Sequence, residues 1–92
     1  MDYFARRTEV EAHTLPDQSL LLYEKRRGVA LPVNESGAEI WKLCDGTHSF
    51  DEIVEGLALR YDAHRNQIDG DAREFLAVLL HHGLLDRLSS PS

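Results

Sequence analysis

The sequence predicts a small α+β domain, a three-stranded antiparallel sheet (β-β-β) followed by three helices. Near residue 34 the hydrophobic pattern changes from short extended runs to helical spacing that persists to residue 83. Turn chemistry at Pro16–Asp17–Gln18 and in the charged run ending at Gly28 cuts the first part into strand-length pieces. Capping residues and glycines bracket the helical stretches of the second part.

The strands come first. Glu9–Val10–Glu11–Ala12–His13 alternates polar and apolar residues with period two, the pattern of a half-buried strand. Ser19–Leu20–Leu21–Leu22–Tyr23 is a continuous apolar run that suits a strand covered on both faces. Glu24–Lys25–Arg26–Arg27–Gly28 is a charged turn. Val29–Ala30–Leu31–Pro32–Val33 puts Val29, Leu31 and Val33 on one face. Pro32 has no N–H to give a ladder, so this strand belongs at a sheet edge.

Three helices follow. Asn34 is a good N-cap, Glu35 suits the positive end of the dipole, and Gly37, Ile40, Trp41 and Cys44 share one face. Trp41 and Cys44 therefore read as core, and Asp45–Gly46 as a helix stop. Ser49 and Glu52 form an S-x-x-E capping box for a second helix that buries Phe50, Ile53, Val54, Leu57 and Tyr61. A third helix starts near Arg65, tolerates Gly70, turns Ile68, Ala72, Phe75, Leu76 and Leu79 inward, and stops at Gly83. Leu84–Leu85–Asp86 reads as a last short extended segment. The expected organisation is one domain over residues 1–88 and a flexible tail over 89–92.

Composition narrows the function. The chain has 92 residues, one domain by length, with 42% hydrophobic and 28% charged residues. No apolar run approaches the roughly 18 residues that span a bilayer, so no membrane partner is expected. A net charge of −6 argues against nucleic acid. The lone Cys44 forms no internal disulfide, which fits a reducing cytoplasm. The five histidines show no H-x-x-x-H pair, and no glycine-rich phosphate loop is present, so no metal, cofactor or catalytic residue is expected.

Several segments together carry a resemblance. They are Ala38–Glu39–Ile40–Trp41–Lys42–Leu43–Cys44–Asp45–Gly46–Thr47, then Asp51–Glu52–Ile53–Val54 with Leu57–Ala58 and Arg60–Tyr61. Asp71 with Phe75–Leu76, and Gly83–Leu84–Leu85, complete the set. This set resembles the family of coenzyme PQQ synthesis protein D (PqqD) and the wider group of RiPP precursor recognition elements. The first 33 residues match less well: members dedicated to PQQ synthesis carry a Leu-Leu-x-Pro-Glu-like stretch, and here Leu21–Leu22–Tyr23–Glu24 lacks the proline. The resemblance implies a winged-helix-like fold. It also implies a non-catalytic chaperone that holds the leader of a ribosomally made precursor peptide for a radical SAM enzyme, in a groove between the third strand and the last helix.

The residues give that groove physical content. A disordered leader is held most simply by adding it as a strand to an open sheet edge. Backbone groups around Gly28, Val29, Ala30 and Leu31 are the expected edge. Leu76 and Leu80, bordered by Arg73, are the expected apolar shoulder on the last helix, the alternative being that both simply widen its core face. Replacing Leu31 or Leu80 with a charged residue is expected to weaken binding. Lys25, Arg26 and Arg27 form the densest basic cluster and are candidates for docking an acidic leader or partner, the alternative being a solvated turn tip. Asp71 is expected to be structural, hydrogen-bonding nearby backbone. Leu59 points away from the core face of its helix. An exposed edge strand can also pair with a copy of itself, so a homodimer is a further candidate partner.

Two other classes compete. A winged-helix DNA-binding regulator would need a basic recognition helix, whereas Asp69, Asp71 and Glu74 against Arg73 make the last helix acidic. A subunit-stabilising protein–protein module would keep its sheet edge covered rather than open.

Overall fold

The structure, a computed structural model, describes residues 2–62 and 64–88. The tail expected at 89–92 lies outside them. The elements run β1 (Tyr3–Arg6), β2 (Val10–Thr14), β3 (Leu20–Glu24), β4 (Val29–Val33), α1 (Glu35–Leu43), β5 (Asp45–Ser49), α2 (Phe50–Tyr61), α3 (Arg65–His81) and β6 (Leu85–Leu88). They form an α+β fold with two antiparallel three-stranded sheets, ordered β2-β3-β4 and β5-β1-β6.

The first sheet is the meander expected from sequence. Its register is regular from Val10↔Glu24 to Thr14↔Leu20 and from Glu24↔Val29 to Leu20↔Val33. At the β2–β3 turn the Asp17 carboxylate accepts the Ser19 N–H at 3.0 Å. At the β3–β4 turn Gly28 takes φ +66°, which an L side chain rarely adopts.

The second sheet is a departure from the expected single meander. Tyr3–Arg6 is a strand, and it pairs with both β5 and β6. Asp45–Gly46 does follow the end of α1, but it also opens β5, with Gly46 at φ +86°. The Asp45 side chain stays in solvent as an acceptor for the Thr47 hydroxyl and N–H and for His48; these bonds draw its pKa down to about 2.

The helices end as their residues predict. The Asn34 side chain accepts the Gly37 N–H at 2.8 Å. Ser49 and Glu52 complete the capping box, with bonds of 2.8 and 3.2 Å. At the end of α3, Leu84 N–H donates to Leu79 C=O at 2.9 Å and Gly83 N–H to Leu80 C=O at 3.0 Å, around Gly83 at φ +70°. That is the paired-bond stop that glycine permits, and it leaves Leu79 and Leu84 buried together.

The core lies between the helices and the sheets. Leu22, Ile53, Val54, Leu79 and Leu84 are fully buried, with Phe4, Ile40, Trp41 and Leu76 nearly so. Trp41 and Cys44 are core residues, as expected. Leu59 is 82% exposed and stands clear of the core.

Candidate functional site

The outer edge of β4 pairs with no strand among the described residues, because β4 ends its sheet and bonds only to β3. One main-chain hydrogen bond at the end of β2 sets which backbone groups point outward. Leu15 N–H donates to Ser19 C=O at 2.9 Å, in line with the β2–β3 register. Main-chain groups alternate sides along a strand. Glu11 and His13 therefore turn to β3, Leu21 and Tyr23 turn to β2, and Leu20, Leu22 and Glu24 turn to β4. On β4, Val29, Leu31 and Val33 face β3, while Ala30 and Pro32 face out.

This corrects part of the expected edge. Val29 and Leu31 do not offer open main-chain groups; their backbone is spent on β3, and their half-buried side chains pack on the core. The free groups are the N–H and C=O of Ala30 and the C=O of Pro32. The N–H that Pro32 lacks would have pointed outward, so the β3 ladder loses nothing by it.

The last helix bounds this edge at both ends. Near the start of β4, Arg27 donates to the carbonyls of His82 at 2.7 Å and Gly83 at 3.3 Å. Near its end, Gly37 lies so close to Val33 and Phe75 that a Cβ there would sit 2.6 Å from Val33 Cγ1 and 3.2 Å from Phe75 Cε1. α3 thus runs beside β4 in the opposite direction. Asp71, Phe75, Val78 and His82 recur at helical spacing on the flank between these two anchor points. Phe75 is half-buried and Val78 is 37% exposed.

Arg73, Leu76 and Leu80 are not on that flank, which corrects the expected shoulder. They line a cavity of about 380 Å³ with Phe4, Phe50 and Arg87, on the side of α3 that faces β1 and β6. The Arg73 guanidinium stacks over the Phe50 ring at 4.5 Å and bonds Asp69 at 2.8 Å. Leu76 is 2% exposed and belongs to the core. A helical wheel shows that a face is wide but not which neighbour stands on each side. Phe75, expected in the core, is half-buried on the opposite flank with Val78, and opposite flanks of one stripe look alike in sequence.

The basic turn divides into two parts. Arg27 is built into the fold: its Nε bonds the Glu24 carboxylate at 2.9 Å, and Glu24 is only 2% exposed. Burial would raise the Glu24 pKa, but the N–H groups of Arg26 and Arg27 and the Arg27 guanidinium outweigh it and hold the carboxyl below its usual range. Lys25 and Arg26 make no ion pair among the described residues and remain solvent-exposed.

Asp71 is exposed at the groove side of α3, where it also rims a small apolar cleft with Ile40, Tyr61 and Ile68. No hydrogen bond to nearby backbone engages its side chain among the described residues, contrary to the structural role expected. Burial pushes the Cys44 thiol up to about 12, and Sγ donates to Ile40 C=O at 3.2 Å. Among the described residues no group of three His, Cys, Asp or Glu side chains is placed to hold a metal ion. No helix among them is long and apolar enough to cross a membrane.

The fold is a small α+β domain whose meander ends, among the described residues, in a strand with one unpaired edge. The chain belongs to the coenzyme PQQ synthesis protein D (PqqD) family, whose model matches residues 19–85. It is similar to the PqqA binding protein of Methylococcus capsulatus, 42% identical over 53 residues, covering 58% of this chain and 55% of that one. It is also similar to the PqqA binding protein of Rhodopseudomonas palustris, 38% identical over 55 residues, covering 60% and 54%. The chain thus spans about half the length of the curated relatives it matches. Its fold matches TbiB1, solved in complex with the TbiA(beta) leader peptide. That match has a TM-score of 0.78 and 24% identity, and covers 89% of this chain and 94% of that one. A lasso peptide synthetase B1 complexed with the leader peptide matches with a TM-score of 0.76 and 24% identity, covering 90% and 96%.

Proposed function

We propose that this protein binds the leader of a ribosomally made precursor peptide along the outer edge of β4 and presents it to a radical SAM modifying enzyme. The observation that carries the reading is the unpaired Ala30, with its N–H and C=O directed outward beside the Phe75–Val78 flank of α3. A guest strand exchanges two hydrogen bonds with Ala30 and gives a third to Pro32 C=O. Its inward side chains then rest on Phe75 and Val78. The names of the relatives, PqqA binding proteins, support a PqqA-like precursor as the first guest to try. The chain's role is to bind and orient; the chemistry belongs to the partner enzyme. Lys25 and Arg26 offer the guest's acidic side chains, or the enzyme's, a solvated contact at one end of the groove. Residues 1–88 act as one unit in this reading.

Titrating isotope-labelled protein with synthetic PqqA tests it by amide hydrogen exchange. Ala30 N–H should become protected and the Phe75 and Val78 signals should move. No protection at Ala30, or protection confined to β2, would overturn the assignment.

A further inference from the structure

We propose that the cleft at the start of α3 is a subsite for one basic side chain of the guest peptide, arginine above all, with Asp71 as its counter-charge. The inference rests on the guest lying along β4. The cleft, of about 200 Å³, lies where α1, α2 and α3 meet. Ile40, Leu57 and Ile68 wall it together with the Tyr61 ring, and Ser36, Gln67 and Asp71 stand at its mouth. Asp71 is one helical turn before Phe75 on the flank that faces β4, and Ser36 follows the end of that strand by three residues. A guest running from Ala30 towards Val33 therefore reaches the mouth about three or four residues further on, at roughly 3.3 Å each.

The mouth is built to accept hydrogen bonds. An ionised Asp71 is an acceptor only. It is exposed and has no ion-pair partner among the described residues: Arg65 and Arg73, on the same helix, go to Asp51 at 3.8 Å and to Asp69 at 2.8 Å. Ser36 already gives its hydroxyl proton to Asn34 Oδ1 at 3.1 Å, so only its lone pairs remain to be used. The exposed Gln67 amide can turn its carbonyl to the same space.

A side chain that suits this cleft has an apolar stem and a head that only donates. Arginine has both: its methylenes cover the walls, and its guanidinium meets Asp71 and the two neutral acceptors. The flat head also lies well against the Tyr61 ring, which is 39% exposed. Arg60 stands over that ring at 5.8 Å, but Glu39 pairs with it at 3.5 Å and compensates its charge. Lysine fits less well, with one compact head and no plane to stack. A leucine would fill the walls and strip water from the Asp71 carboxylate while giving it no partner, which costs free energy. A glutamate would bring like charge to like.

An arginine walk tests the subsite. A set of synthetic PqqA peptides carries arginine at one position after another, each position also made as lysine, leucine and glutamate. Each peptide is titrated into the native protein and into Asp71→Asn, whose exposed side chain leaves melting unchanged. At one position arginine should bind about fivefold more tightly than leucine, the scale of a partly exposed ion pair. Lysine should fall between them and glutamate below both. The arginine advantage should vanish in Asp71→Asn and shrink as salt rises. The methyl signals of Leu57 and Ile68 should move with that peptide more than with the others. In Asp71→Arg the order should invert, so that glutamate binds best at the same position. Protection of Ala30 N–H by every peptide, with no position whose charge preference depends on Asp71, overturns the subsite while leaving the β4 groove in place. A peptide set that never protects Ala30 overturns the groove itself, and the subsite with it.

Discussion

Arg27 Nη2 lies 2.7 Å from the carbonyl oxygen of His82, a residue 55 positions further along the chain. The same guanidinium holds Glu24 through Nε, so one side chain fastens the β3–β4 turn to the end of α3. The distance between β4 and the helix is set at this contact. Arg27→Ala should lower the melting temperature by several degrees and weaken peptide binding, because the groove loses one of its two anchor points.

The Glu24 pKa is lowered in the folded state. Its contribution to stability is therefore complete above the ordinary glutamate range and is lost as pH falls through the lowered value. Urea denaturation at stepped pH should show stability falling in acid for the native protein. Glu24→Gln should flatten that fall, while lowering stability at neutral pH.

Pro32→Ala gives the open edge one more N–H. If a guest strand runs the length of β4, affinity should rise by about fivefold, the equivalent of one net hydrogen bond of on the order of 1 kcal/mol. Stability should drop by about 0.4–1 kcal/mol, because the unfolded chain regains the freedom proline withheld. Calorimetric titration and thermal melts read the two effects separately.

The two flanks of α3 make opposite predictions. Val78→Asp should weaken peptide binding by about tenfold or more, on the order of 1.4 kcal/mol, with little change in melting. Leu80→Asp should do the reverse, costing stability at the cavity shared with Phe4 and Phe50 while leaving affinity near its native value. Equal losses of affinity in both variants would place the guest elsewhere.

Cys44 should resist alkylation at neutral pH in the folded protein and react once denaturant exposes it. A thiol raised to about 12 holds almost no thiolate there, and burial keeps reagents away.

The helices and the first sheet were legible because each shows itself locally. Ser49 with Glu52, Asn34 before an apolar stripe, and Gly83 after one are complete signals within a few residues. The β5-β1-β6 sheet was not legible for the opposite reason. Tyr3–Arg6 is too short to show alternation, Asp45–Ser49 has no large apolar residue, and the register Tyr3↔Leu88 joins the two ends of the chain. Pro32 marked the edge strand from sequence alone. The flank of α3 that faces it is not legible in the same way, because Leu80 and Val78 differ only in what the tertiary fold sets beside each.

The two sheets have no strand in common, and the hydrophobic interior is closed without any contribution from the outer side of β4. A visitor docking there neither completes the interior nor opens it on leaving. A scaffold of that kind gains stability from its occupant only by mass action, so release uncovers no core and leaves the fold ready for the next passenger.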